Sequence, residues 1–377
     1  MSDNNQGVGQ DSQELKIKEV KSWRVTIHRA VAWKTARYVK KDIDALIVGI
    51  SDGEGNIGYG YLPSMLLEGE SAPSAEALLH VVLKPVILRG GFPGIQPLMK
   101  ELDLSLLHNH QLKFAIESAL LDLTAKRIGT PLYNLLGGLC WEEVPVMRMV
   151  GLKSPEETAV EAIKFVEKGY RYVKLKVGID EKRDVAAFKA VREAVGPDIF
   201  LSIDANRSYE VMQTIRIVKQ LEKWDLGLIE QPIRADDIRG MAFIRQHINT
   251  PLMADEAVLN PFDAQRLIDA NAIDAVSIKL WKVGGFFKAK QIAAVCNTAN
   301  IGCHVASTPG SILMEAGQLH FAASTLNMVA GAEIGEFDGL SDDPASGINI
   351  LNGSLRPPKK PGIGVDLDLT NARETQN

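Results

Sequence analysis

A repeating βα barrel behind an N-terminal α+β domain is the fold this sequence predicts, on three observations. Short apolar, β-branched runs recur through the C-terminal half as YRYVKLK, IFLSIDAN, LGLIEQP, PLMADE and AVSIKLW. Each is too short for a helix and reads as a buried strand. The runs are also evenly spaced: the intervals from Lys176 through Asp204, Glu230, Asp255 and Lys279 are 28, 26, 25 and 24 residues. Each interval has room for one strand, one helix and two loops. Finally, TAVEAIKFVEKG, DVAAFKAVREAVG and QTIRIVKQLEKW between the runs have the helical spacing of amphipathic segments.

Taken in order, residues 1–13 (MSDNNQGVGQDSQ) form a polar tail without an apolar stretch, expected to be disordered. Residues 14–138 read as an α+β domain. KIKEVKSWRVTIHRAV and DALIVGISDGEGNIGYG are strand-like, with DGEGN as a turn, and suggest an antiparallel meander. Helical periodicity takes over from Ser74 to Leu136, strongest in HQLKFAIESALLDLTAKRIG, which Gly129 and Pro131 end. Residues 139–345 carry the barrel. VPVMRMVG precedes the five runs, and IGCHVAS and NMVAGAEIG follow them, which makes eight strands. Residues 346–377, with PPKKPGIGVDLDL, are expected to return to the first domain.

The composition narrows the function. With 42 basic and 47 acidic residues, a net charge of −5 and no long run of like charge, nucleic acid is an unexpected partner. No stretch of eighteen apolar residues occurs, so no membrane span is expected and a cytoplasmic location is. The three cysteines, Cys140, Cys296 and Cys303, have no CxxC spacing and read as reduced structural thiols.

Six charged residues, Lys174, Lys176, Asp204, Glu230, Asp255 and Lys279, close the apolar runs. In a βα barrel these strand ends converge on one face, where catalytic groups gather. Three carboxylates on successive strands are costly to bury without a cation. An all-oxygen set suits Mg²⁺, or Mn²⁺, better than zinc. Lys174 and Lys176 are two apart on one strand and point the same way; their repulsion is expected to lower at least one pKa. Lys279 falls four strands after Lys176, across a ring of eight. A cation between two opposed amines suits removal of a proton next to a carboxylate from one side and its return to the other.

At these residues the chain resembles the enolase superfamily, and within it the muconate-lactonizing subgroup, whose pattern is KxK, D, E, D, K. Lys174-Leu175-Lys176, Asp204-Ala205-Asn206, Glu230-Gln231-Pro232, Asp255-Glu256 and Lys279 match it, and the likeness extends to FAIESALLDLTAKRIGTPLYNLLGG and the KVGG after Lys279. The resemblance implies a capping α+β domain, completed by the C-terminal tail, over a (β/α)₇β modified TIM barrel. It implies a single Mg²⁺ on Asp204, Glu230 and Asp255, with Asn206 and Glu256 supporting it. Lys176 and Lys279 are then the two bases, and Lys174 polarises the substrate carboxylate. A small-molecule carboxylate substrate and a homo-oligomer are further implications. His304, near the start of the seventh run, reads as a packed side chain.

The subgroup includes muconate cycloisomerases, dipeptide epimerases and N-acylamino-acid racemases. The loop AWKTARYVKK looks most like that of dipeptide epimerases, which points to epimerisation or racemisation of a dipeptide or N-substituted amino acid. A muconate-type cycloisomerase and a syn-dehydratase of a hydroxy acid are the alternatives. Arg37 and Tyr38 in that loop, and Trp281, Ser307, Thr308 and Glu333 on the barrel, are the candidate substrate contacts. Trp281, two after Lys279, is expected on the same face of a continuing strand. The paired aspartates that hold a dipeptide ammonium in those relatives have no plain counterpart; Glu333, Glu336 and Asp338 in AEIGEFDG stand at that place. Tyr61 stands where relatives commonly have a glutamate.

Overall fold

The computed structural model describes residues 15–34, 39–66, 69–308 and 310–375 of the chain. The tail 1–13 and the candidate contacts Arg37 and Tyr38 lie outside the described residues. Three strands, β1 (Glu19–Lys34), β2 (Val39–Ser51) and β3 (Ile57–Leu62), form the antiparallel meander. At its second turn the Asp52 carboxylate accepts from the Glu54 N–H and the Asn56 side-chain amide, both at 2.8 Å. That is the aspartate turn the DGEGN segment calls for.

Helices α1 (Ala72–Leu78), α2 (Lys84–Arg89) and α3 (Ile95–Ser105) cover the sheet, followed by α4 (His110–Arg127) and the one-turn α5 (Leu132–Leu135). The long α4 is buried on nearly all sides. Its Leu112, Ala115 and Ile116 pack with the meander, while Phe114 and Leu121 belong to the barrel core. Glycine in β3 allows that approach. A Cβ on Gly60 would lie 1.9 Å from the Ala115 carbonyl oxygen, so only a hydrogen fits there.

After the short β4 (Val144–Pro145), eight parallel strands follow: β5 (Met147–Val150), β6 (Tyr172–Lys176), β7 (Phe200–Asp204), β8 (Leu228–Glu230), β9 (Leu252–Ala254), β10 (Ala275–Ile278), β11 (Gly302–Ala306) and β12 (Met328–Glu333). They lie in sequence order, and a parallel bridge between Val146 and Ala332 joins the last strand to the first. The barrel helices are α6 (Pro155–Glu167), α7 (Glu181–Val195), α8 (Val211–Leu221), α9 (Ile238–His247) and α10 (Pro261–Asp269), then α12 (Phe286–Thr298) and α13 (Ile312–Ala323). Among the described residues only a short 3₁₀ turn, Glu336–Gly339, and no α-helix follows β12, which makes a (β/α)₇β barrel. Local signals start these helices: Ser154 and Glu157 form a capping box at α6, and Asp180 and Asn260 cap α7 and α10.

An extra turn, α11 (Leu280–Val283), corrects one sequence reading. The run AVSIKLW does not continue as a strand past Ile278. Lys279 is the extended residue before α11, and Gly284, at φ +89°, ends that turn. Trp281 therefore stands on a helical turn and not two places along a strand from Lys279.

The remaining strands are β13 (Ala345–Ser346), β14 (Ser354–Leu355), β15 (Asp366–Leu367) and β16 (Arg373–Glu374). Strand β14 pairs with β4, and β16 adds to the capping sheet with Glu374 opposite Trp23. The C-terminal segment thus returns to the first domain. Among the described residues no helix is long and apolar enough to cross a membrane.

Candidate active site

The parallel register brings the charged strand ends together. Lys176 pairs with Asp204 across β6 and β7, and Asp204 with Glu230 across β7 and β8. Asp255 and Lys279 each stand one residue past β9 and β10, at the same end of the barrel. Asp204, Glu230, Asp255 and Lys174 are all within 1% of full burial, while the side chains of Lys176 and Lys279 keep 12% and 16% of their surface. The two lysines read as bases are thus the ones that reach the mouth.

Each carboxylate is turned onto a lysine. Lys176 Nζ donates to Asp204 Oδ2 at 2.5 Å and to Asn206 Oδ1 at 2.9 Å. Lys174 Nζ donates to Glu230 Oε2 at 2.8 Å and also to Glu333, and lies 3.5 Å from Asp204. Lys279 Nζ donates to Asp255 Oδ2 at 2.6 Å. Asn206 further ties its own N–H to Asp204 Oδ1 at 2.8 Å. It adopts φ +44° to do so, a conformation asparagine tolerates better than most residues.

At Lys174 the electrostatics run opposite to the repulsion expected from a neighbouring lysine. Burial opposes the charge on Lys174, but the Glu230, Glu333 and Asp204 carboxylates outweigh it and hold its pKa well above the usual value. Burial likewise opposes the charge on Lys279, and Asp255 and Glu230 hold its pKa high. The carboxylates neighbouring each ammonium outnumber the like charges, so attraction prevails over repulsion. Asp255 is held far below the carboxylate range despite its burial, by Lys279 and Lys282. Glu230 is pushed up, chiefly by burial and against the pull of Lys174. Glu256, buried beside Asp255 and Asp204, is pushed up to about 7, with Arg207 3.1 Å away.

Two residues that the sequence reading did not assign hold this site together. Gln231 follows Glu230, and its side-chain oxygen accepts from the Asp255 and Ala257 N–H groups at 3.0 and 3.1 Å. Lys282 reaches back from α11 to Asp255 Oδ1 at 2.5 Å. The signal for Lys282 was its i, i+3 spacing from Lys279 before the paired glycines, which becomes visible once KLWKVGG is read as a helical turn.

The candidate substrate contacts are distributed unevenly. Trp281 is buried, with no hydrogen-bond partner for its indole N–H. Ser307 donates to Glu315 Oε1 at 2.8 Å and accepts from Gln318, so its hydroxyl faces the protein. Thr308 faces Met65 of the capping domain, its hydroxyl 3.5 Å from the sulfur. Glu333, at the end of β12, is committed to Lys174. Glu336 lies 3.8 Å from Arg29 and 3.6 Å from Arg148, and Asp338 accepts from Arg148 at 3.1 Å. Tyr61 is fully buried, its ring edge 3.4 Å from the position a Cβ on Gly310 would occupy. His304 is fully buried on β11.

The donor set bears on a metal. Among the described residues, no three acidic, histidine or cysteine side chains are spaced around a common ion position while the lysines hold them. Yet Glu230 Oε1 is buried with no hydrogen-bond partner, a cost that a cation would remove. Asp204, Glu230 and Asp255 supply only oxygen, which fits a hard divalent ion.

Comparisons with known proteins place this geometry in a family. Residues 17–137 match the model described as mandelate racemase / muconate lactonizing enzyme, N-terminal domain, and residues 157–372 match that for the enolase C-terminal domain-like family. The chain is 31% identical over 359 residues to an L-Ala-D/L-Glu epimerase of Bacillus subtilis, covering 93% of this chain and 97% of that one. It is 32% identical over 335 residues to an N-succinyl-L-Arg/Lys racemase of Bacillus cereus, covering 88% and 90%. The crystal structure of the Bacillus cereus N-succinyl Arg/Lys racemase superposes with a TM-score of 0.91 at 29% identity, covering 96% and 100%. A dipeptide epimerase of Enterococcus faecalis, solved with Mg and L-Leu-L-Tyr, superposes with a TM-score of 0.86 at 27% identity, covering 93% and 100%. With its strand-end lysines and carboxylates gathered at one barrel mouth, this chain belongs to the mandelate racemase and muconate lactonizing enzyme branch of the enolase superfamily, and it is an isomerase.

Proposed function

We propose that this enzyme racemises or epimerises an N-acylated amino acid by Mg²⁺-dependent transfer of the proton next to its carboxylate. The observation that carries the reading is the placement of Lys176 and Lys279 on strand ends four apart in a closed ring of eight, with Asp204, Glu230 and Asp255 on the strands between. The three carboxylates would hold the ion. Bound there, it would stabilise the negative charge that builds on the substrate carboxylate as the proton leaves.

The chain's own residues do the rest. The carboxylates, once they hold the ion, would no longer stabilise the ammonium form beside them, so one lysine, as the neutral amine, takes the α-proton, and the C–H electron pair moves into the substrate carboxylate. The opposite lysine, as the ammonium, returns a proton to the other face of the same carbon and inverts it. Lys174, anchored by Glu230 and Glu333, offers an N–H toward the substrate carboxylate. Gln231 keeps Asp255 in place through two backbone N–H bonds.

The eighth strand favours an acylated nitrogen. A dipeptide brings a free ammonium that needs a carboxylate, and Glu333, Glu336 and Asp338 each already face a lysine or arginine. An acyl group without an amine makes no such demand. The Bacillus cereus relative is named for an N-succinyl substrate, which supports this choice over the free dipeptides.

Incubation in D₂O with Mg²⁺ of two panels, N-acyl amino acids and free dipeptides, tests the reading. Deuterium at the α-carbon of N-acyl substrates, with inversion, is expected. Faster exchange into free dipeptides would refute the acyl assignment. Decay of muconate absorbance without any α-exchange would replace it with cycloisomerisation.

A further inference from the structure

Lys279 and Lys282 share one carboxylate but are held differently. Lys279 meets Asp255 Oδ2 alone and sits at the mouth. The Lys282 ammonium donates to Asp255 Oδ1 at 2.5 Å, to the Asp255 carbonyl at 2.5 Å and to the Ser277 carbonyl at 3.2 Å. Those three acceptors use all three of its N–H groups. Its side chain is 4% exposed, so swinging away would strip a buried charge of every partner. The turn α11 creates the arrangement: Lys279 is the extended residue that caps its start, and the chain coils back so that the Lys282 N–H donates to the Lys279 carbonyl at 2.9 Å. Lys279 is therefore free to leave Asp255 Oδ2, whereas Oδ1 stays occupied.

We infer that Lys282 is a positioning residue that makes Asp255 a one-oxygen ligand and so biases the metal site toward Mg²⁺ against Ca²⁺. The inference rests on the proposed metal site. Mg²⁺ takes six oxygens in a tight octahedron, usually one from each carboxylate. Ca²⁺ takes six to eight and gains from carboxylates that bind through both oxygens. A carboxylate with one oxygen locked by an ammonium satisfies the first ion and under-serves the second. A change in charge at Lys282 alters the affinity of both divalent ions alike, so the ratio of the two affinities isolates the geometry.

The test is calorimetric titration of the full chain, wild type and Lys282→Met, with Mg²⁺ and with Ca²⁺, without substrate. The ratio of Ca²⁺ to Mg²⁺ affinity is expected to rise about tenfold in Lys282→Met, the lower end of what supporting residues do to metal sites. A ratio unchanged between the two proteins overturns the inference and leaves the metal site standing. Failure of the wild type to bind either ion overturns the metal reading itself and the inference with it. If Lys282→Met does not fold, the wild-type crystal structure with Mn²⁺ decides. Asp255 bound through one oxygen, with Lys282 on the other, is expected, and both oxygens on the metal would overturn it.

Discussion

Replacing Lys174 by Met removes the ammonium that three buried carboxylates share. Its Nζ lies 2.8 Å from Glu230 and 3.5 Å from Asp204 and is bonded to Glu333, and the residue is 1% exposed. Breaking a buried pair from one side costs about 3–5 kcal/mol. Glu230 is already pushed toward its protonated form, which limits the damage, so the lower figure of about 3 kcal/mol applies. For 377 residues, an unfolding entropy of about 2.1 cal/mol/K per residue gives roughly 0.8 kcal/mol/K, and the loss becomes a fall in Tm of about 4 °C. A divalent ion should restore much of it, since binding at a hundredfold excess over Kd contributes about 2.7 kcal/mol. Thermal melts of both proteins in chelator and in excess Mg²⁺ are the assay. Lys174→Met should lose about 4 °C in chelator and gain more from Mg²⁺ than the wild type does. A variant that melts with the wild type in chelator, or ignores Mg²⁺, would show that Lys174 does not carry the charge balance assigned to it.

Three further outcomes are expected. Lys176→Ala and Lys279→Ala should each abolish inversion by about 10²–10⁴-fold or more. Each should still exchange the α-proton of one stereoisomer, and opposite ones; identical exchange patterns would contradict two opposed bases. Glu117 of α4 accepts from the Phe287 N–H at 2.9 Å, and burial pushes its pKa up to about 8 from an ordinary 4.5. A raised carboxyl contributes stability that is complete below its unfolded pKa and lost as pH rises through the folded one. Urea midpoints of the wild type should therefore fall between about pH 4.5 and 8 more steeply than those of Glu117→Gln, and parallel profiles would refute this. Gly60→Ala sets a Cβ 1.9 Å from the Ala115 carbonyl oxygen, an overpacking expected to cost about 1–3 kcal/mol, or more because backbone must shift; an unchanged denaturation midpoint would show that α4 does not bear on β3 as described.

Much of the site was legible because a barrel is periodic. A strand–helix repeat places equivalent positions at one end of the ring, so charged residues closing apolar runs at 28, 26, 25 and 24 residue intervals had to meet. The barrel, its eight strands and the joint arrival of Lys176, Asp204, Glu230, Asp255 and Lys279 follow from that repetition. Partners distant in sequence carry no such period. Lys174 and Glu333 are 159 positions apart and meet because the ring closes. Arg29 of the capping sheet faces Glu336 because that sheet packs against the barrel. Strand continuity was the other blind spot. An apolar run does not reveal whether the chain stays extended or coils after its last charged residue, and that single choice moved Trp281 off the strand and brought Lys282 under Asp255. The sequence by itself determined which chemistry gathers at the barrel mouth, since periodicity acts within each local unit. Tertiary structure decided which acids remain for a substrate and which oxygen of Asp255 is already taken, since those depend on groups that only folding brings within hydrogen-bond reach.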